Sequence, residues 1–550
     1  MFNLFIISTK NTNMGRILPK IISMRLIMVL TLLVLIGCSN RYQPSVGPIS
    51  QTARISTPTV TSAPIHSGPS FPRLGMWWPD GWHQPLQDIA RYDWVILGNW
   101  QAQFIDPLRA INPNILLLTS TDACELHYDP SDPPSNLELL KIPYQWFLTQ
   151  VGTTLSADVD AVQTSLPVNA LTADNGKKVI DLFVPGDTAL IDNESVYIQN
   201  IDKAKNILTV QRGFVRPASS HKGGIRIAAH ISTWPSTWML NVSTLSTKGV
   251  VDAAIGPEIW PEYNARFGKQ LLSDPRWSGI LVDRSDINES RYIDNSSIRS
   301  IDPDQSNQLL NDYSTFDAAW NDGLHLYLNK LRQAIGPHAM IMLNWGIVDY
   351  QNVNGNNFEG FPDDLGGLGN NLWHNIVFGP TPHGSYFDWV TNVIQPNITM
   401  IETYEDNSIP SGLYDNRCIQ SNFQPNYRKM RFGLTTALLN DGYFSYEMNT
   451  AGHGSLCLMW FDEYDKSGLG RGYLGYPIGQ AKMKAGLLDV WQRDYENGIV
   501  VVNATSETVT ISLGGPFRKI KGTQDPAVND GSLITQVTLQ PRDGIILLRP

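Results

Sequence analysis

The stretch that most constrains the fold is WSGILVDRSD, residues 277–286. Gly279-Ile280-Leu281-Val282 is apolar on both faces, the pattern of a parallel strand covered by helices, and Asp283 follows at once. A carboxylate there is costly unless the strand stops in a polar cleft. With side chains alternating, Leu281 and Asp283 share one face, which lets Asp283 point into a barrel mouth.

The same design, an apolar run stopping at an acid or amide, recurs along the chain. Asn344 closes AMIMLN before Trp345, Glu402 and Glu405 lie in ITMIETYEDN, and Glu447 ends YFSYE. Asp462 and Glu463 stand beyond in the aromatic segment LMWFDEYD. Residues 92–97, 103–111 and 115–119 read as strand, helix and strand, the βαβ unit of a parallel sheet, with polar ends at Asn99 and Thr121-Asp122. The rhythm predicts a third strand over 238–242, a helix over 258–272, a fourth strand over 279–283 and a helix over 314–334. Further strands follow at 339–346, 398–407 and 443–447, with a helix at 427–440 and a last strand drawn from 495–502. NVNGNNFEGFPDDLGGLGNN reads as a long loop of the mouth. The expected class is α/β: a (β/α)8 TIM-type barrel with an inserted small all-β module and a C-terminal β-sandwich-like domain. In such a barrel the strand ends converge on one face.

The expected boundaries are a signal peptide over 1–38, a Ser/Thr/Pro-rich tether over 39–70 and barrel sequence over 71–150 and 233–497. The β module occupies 151–232 and the C-terminal domain 498–550. Within the module, strands are expected at 178–184, 188–191, 195–201 and 207–212; its His221 and His230 lack partners at ligand spacing and read as structural or exposed polar residues. Near the start, Met24-Arg25 precedes a short apolar run and Leu35-Ile36-Gly37-Cys38, which resembles the lipobox of bacterial lipoproteins. That resemblance implies lipidation of Cys38 and a protein held at the cell envelope, facing outside the cytoplasm. An ordinary signal peptide or membrane anchor with a chance Cys is the competing reading. Cys124, Cys418 and Cys457 form no disulfide framework by spacing, although an exported protein could pair two of them.

A net charge of −10 without long Lys/Arg blocks argues against nucleic acid as a partner. Sixteen Trp and twenty Tyr suit stacking on sugar rings as well as core packing. No metal-ligand spacing or phosphate-cradling loop stands out, so no metal or cofactor is expected. Two carboxylates facing each other across a cleft are what glycoside hydrolysis needs, one to protonate the leaving oxygen and one as nucleophile or base. Asp283 and Glu402 are the candidates, since each ends an apolar run, with either able to take either role. Asp286, Asn344, Trp345, Glu405, Glu447, Asp462, Trp78, Asn99 and Trp460 are candidate substrate-binding residues. A lone acid after a strand is also a common turn or cap residue, which competes for Asp286 and Glu405.

WSGILVDRSD, AMIMLNWG and ITMIETYEDN, with the later RDYENGIVVVN, resemble the hypothetical glycosyl hydrolases. They are more distantly similar to the endo-α-1,4-polygalactosaminidase barrels, which have a Gly-x-x-x-Asp strand, a strand ending in Asn and one ending in Glu. The resemblance covers roughly 71–150 and 233–510. It implies a (β/α)8 fold and carbohydrate hydrolysis, with Asp283 and Glu402 on the matching acids and Asn344 on the matching amide. The expected partners are a polysaccharide or oligosaccharide substrate and a membrane, reached through the lipid anchor, for a monomeric chain. A carbohydrate-binding envelope lipoprotein that kept the barrel and lost turnover is the rival reading.

Overall fold

The computed structural model describes residues 68–79, 82–172, 176, 178–290, 300–308, 310, 312–362, 372–405, 417–448, 458–468 and 470–550. Cys38 and the tether up to residue 67 lie outside them, as does Cys457. Cys418 is disulfide-bonded, and Cys124 is free and buried.

Eight parallel strands run round one sheet in chain order. They are β1 (Gly75–Trp77), β2 (Trp94–Ile96), β3 (Leu116–Asp122), β4 (Gly279–Asp283), β5 (Met340–Asn344), β6 (Gly355–Phe358), β7 (Met400–Tyr404) and β8 (Tyr443–Glu447). Leu74 bridges Phe444 in parallel, and the Phe444 amide donates to the Arg73 carbonyl at 3.1 Å, which joins β8 to β1. A parallel sheet whose last strand meets its first is a (β/α)8 barrel.

Alternation sorts the strand residues into two cores. Trp77, Trp94, Ile96, Leu118, Leu281, Met342 and Met400 fill the barrel interior. Val95, Leu117, Ile280, Val282, Ile341, Leu343 and Ile401 face outward into the shell beneath the helices. Interior space is tight: a Cβ on Gly75 would lie 2.5 Å from the Trp94 ring. The outer layer includes Ile105–Ile111, Trp260–Leu271, Tyr313–Ile335 and Tyr427–Ala437.

Four expectations about barrel strands are corrected. The first barrel strand is Gly75–Trp77, whose three residues are too short for a periodic signal. Thr237–Met239 is not a barrel strand; it pairs antiparallel with Glu125–His127 in a ribbon that follows β3. Gly355–Phe358, within the expected mouth loop, is β6. Residues 490–503 form a hairpin of the C-terminal sheet, so 495–502 supplies no barrel strand. The β5–β6 connection has no helix. Buried Asn354 secures it, accepting from Arg332 Nη2 at 2.7 Å and the Ile341 amide at 3.0 Å while donating to the Ile394 carbonyl at 3.0 Å.

The chain between β3 and Trp260–Leu271 carries a six-stranded antiparallel sheet with its own apolar core. The segment expected as a strand at 178–184 is instead a 3-10 turn, Val179–Leu182. Buried Glu194 binds it together, paired with Arg212 through two bonds of 2.7 Å and with His221 Nε2 at 2.8 Å.

Two strands of the C-terminal six-stranded sheet, Gly498–Asn503 and Asp543–Leu548, bury both faces. Val500, Val502, Ile546 and Leu548 join the shell of the barrel, and Ile499, Val501, Ile545 and Leu547 face a second core. Between helix Tyr427–Ala437 and this sheet, Arg431 is buried against Asp525 at 2.6 Å and Asp543 at 3.2 Å. Replacing Arg431 by Leu leaves two carboxylates without their cation. We expect a loss of about 3–5 kcal/mol, measured by denaturant melting; a loss under ~1 kcal/mol would contradict this packing.

Candidate active site

The interior column of several strands changes character toward the C-terminal end. Leu281 gives way to Asp283, Met342 to Asn344, and Met400 to Glu402 and Tyr404; Tyr443 gives way to Ser445 and Glu447, and on β6 Asn357 precedes Glu359. The polar layer is one hydrogen-bonded network. Asn344 Nδ2 donates to Asp283 Oδ1 at 3.1 Å and to Glu359 Oε2 at 2.5 Å. Asn344 Oδ1 accepts from Asn357 Nδ2 at 3.2 Å, and that nitrogen also reaches Glu402 Oε2 at 2.5 Å. The Tyr404 hydroxyl donates to Glu359 Oε1 at 2.7 Å, and Trp345 Nε1 donates to the Glu359 carbonyl at 3.0 Å.

Asp283 and Glu402, far apart in sequence, therefore meet in one network, two amides apart. Asp283 and Glu359 are closer still, because they share one nitrogen; both are partly exposed, whereas Glu402 is fully buried. Glu359, Asn357 and Tyr404 were not among the residues singled out from sequence. The available signal was the period-two placement of Asn357 and Glu359 after Gly355, the alternation that exposes Asp283.

Backbone strain collects at the same level. Trp78, Arg284 and Trp345, each directly after the last residue of β1, β4 or β5, have φ of 38°, 53° and 43°. Such conformations cost on the order of 1–3 kcal/mol each and cluster at functional sites. They also place the Trp78 indole, which donates to Ser120 Oγ at 3.3 Å, and the Trp345 indole at the mouth.

The remaining candidates divide. Glu447 belongs to the polar layer but is buried, accepting from Ser445 Oγ at 2.9 Å and the Trp77 amide at 3.2 Å across the β8–β1 junction. Asn99 follows β2 at this end of the barrel. Asp286 lies 3.7 Å from the Arg284 guanidinium, which also pairs with Glu289 at 2.8 Å. Glu405 turns outward, accepting from the Asn426 amide at 2.8 Å and Tyr446 at 2.5 Å. Asp462 is occupied by the Thr523 and Gln524 amides at 2.7 and 2.9 Å and ties the chain to the C-terminal sheet. Trp460 packs under Arg91, 3.5 Å from the ring, and against Tyr92, which precedes β2 and so belongs to the opposite end of the barrel. A cavity of about 790 Å³ also opens at that opposite end, between Leu116, Trp277 and Met340, remote from the carboxylates. Among the described residues no cluster of three or more His, Cys, Asp or Glu could hold a metal ion.

Burial, and then the negative charge of Glu359, push the Asp283 carboxyl above its ordinary 3.8, against hydrogen bonds from Asn344 and the Arg284 amide. Burial, with the charges of Glu359, Glu402 and Glu447, keeps the Tyr404 phenol protonated as a donor. Because the folded state holds the Asp283 proton more tightly than the unfolded chain, ionising it costs stability once the pH rises above 3.8. Asp283→Asn removes that cost. The variant should melt at a higher temperature than the wild type at pH 7.5, with the gain vanishing near pH 4. A lower melting temperature at pH 7.5 would contradict this electrostatic account.

None of the curated proteins matches the chain. Among solved structures it is similar to the glycoside hydrolase domain of PelA from Pseudomonas aeruginosa, at 11% identity over 70% of this chain and 96% of that one, with a TM-score of 0.29. It is also similar to the maltogenic α-amylase AmyB from Thermotoga neapolitana, at 9% identity over 86% and 98%, with a TM-score of 0.37. The model of hypothetical glycosyl hydrolase family 15 matches residues 224–499, half of the chain, covering β4 to β8 and the whole amide-linked carboxylate network. The chain belongs to hypothetical glycosyl hydrolase family 15.

Proposed function

We propose that the mouth cleaves a glycosidic bond of a polysaccharide or oligosaccharide, with Asp283 as proton donor and Glu359 as nucleophile. The single observation that carries this reading is the sharing of Asn344 Nδ2 by the two carboxylates. Their nearest oxygens are separated by no more than those two bonds laid end to end, 3.1 and 2.5 Å. That is the close-spaced regime of retaining glycosidases, about 5–5.5 Å, rather than the ~6.5–9.5 Å that makes room for a water in inverting ones.

In the first step Asp283 gives its proton to the glycosidic oxygen while Glu359 attacks the anomeric carbon. The C–O bond to the leaving sugar breaks and a glycosyl ester forms. Asp283, now a carboxylate, takes a proton from the water that attacks this ester, and Glu359 is released. Tyr404 and Asn344 hold Glu359 on both oxygens, fixing its approach. Glu402 acts through Asn357 as a positioning residue.

New reducing ends released from a glycan panel test the assignment. Asp283→Asn and Glu359→Gln should each lose at least ~1,000-fold in kcat, and Glu402→Gln about 10–100-fold. A collapse in Glu402→Gln with Glu359→Gln spared would instead select Asp283 and Glu402 as the working pair. Binding without any cleavage would favour a carbohydrate-binding protein.

We further propose that a lipid on Cys38 holds the protein at the cell envelope. Full-length protein expressed in bacteria should incorporate labelled palmitate, and Cys38→Ala should not. Equal labelling of the two would remove the anchor.

A further inference from the structure

The module inserted after β3 returns to the barrel through the ribbon of Glu125–His127 and Thr237–Met239. In the turn that leads into Thr237–Met239 stands Trp234, 48% exposed although its backbone is tightly held. Its carbonyl accepts from Ser232 Oγ at 2.8 Å, Thr237 Oγ1 at 2.7 Å and the Thr237 amide at 3.3 Å. The carbonyl of Ser236, at φ 59°, accepts from the Tyr128 amide at 2.8 Å. The neighbouring Thr233 hydroxyl bonds Glu125 and lies 2.8 Å from Arg284 Nη2, and Arg284 directly follows Asp283. The turn is therefore fastened to the residue beside the proposed acid.

The inserted module buttresses the ribbon strand that follows this turn. Trp238, buried in the ribbon, donates to Thr188 Oγ1 of the module at 2.8 Å, and His230 stacks on its ring at 4.2 Å, nearly parallel. Phe147 closes edge-on against both rings. Trp234 itself makes no ring contact or side-chain hydrogen bond among the described residues. A bare indole on an over-determined turn is a preorganised apolar face, offered at little entropic cost to a ligand.

We propose that Trp234 is an outer sugar platform, held in place by the inserted β module, that stacks on a pyranose of the same glycan beyond the bond at Asp283 and Glu359. This rests on the carbohydrate reading of the mouth and extends it: the substrate is a polymer that occupies more than the central cleft. The insertion then serves substrate length, not the bond-breaking step.

Affinity electrophoresis of the full chain through amylose, chitosan and α-1,4-galactosaminan, beside reducing-end assays on each, tests this. At least one polymer should retard the wild type. For that polymer Trp234→Ala should weaken binding about tenfold, raising KM with kcat retained, while Trp234→Tyr stays within about threefold. Should Trp234→Ala lower the melting temperature, Trp234→Leu, apolar but without a ring face, takes its place. Equal retardation of wild type and the ringless variant, or no retardation of the wild type by any of the three, overturns the platform. Retardation that depends on Trp234 without any reducing ends would keep the platform and fail the hydrolase reading alone.

Discussion

The Asn344 side chain is the point on which the mouth depends. Its nitrogen carries two hydrogens and gives one to each of two carboxylates that would otherwise repel. Its oxygen accepts from Asn357, which fixes the amide's orientation, and Asn357 is held in turn by Glu402. An acid at this position would add a third negative charge, and an apolar residue would leave two partly buried carboxylates with no shared donor.

The barrel makes this arrangement possible through one alternation repeated on neighbouring strands. Low in the barrel the inward residues are Met, Leu and Trp, which form a packed plug; at the strand ends they become acids, amides and a tyrosine. The plug supports the polar layer from below, and the left-handed residues after β1, β4 and β5 turn the chain sharply so that indoles line its rim. On the proposed reading, raising Asp283's affinity for its proton is what readies it as an acid, and the stability lost by its ionisation is carried by the surrounding cores.

Much of this was legible in the sequence where strands are apolar and end in a charge. β4, β5, β7 and β8 were recognisable because each buries both faces before its polar terminus. β6 was not, because two of its four residues are asparagines engaged in hydrogen bonds, so that Gly355–Phe358 reads as a loop and Glu359 with it. β1 was missed for its length, and the 498–503 strand was misjudged because both its faces are buried, one on the barrel and one in the C-terminal core, which mimics an interior barrel strand. Glu405 directly follows β7 and Asp462 opens a short helix well beyond β8, yet backbone amides claim both, a distinction that spacing does not carry.

The anomeric configuration of the first product, followed by proton NMR during cleavage of a polymer the wild type cuts, tests the shared-nitrogen geometry most directly. Carboxylates held as closely as Asp283 and Glu359 predict that the configuration is retained. Release of the inverted anomer would contradict it.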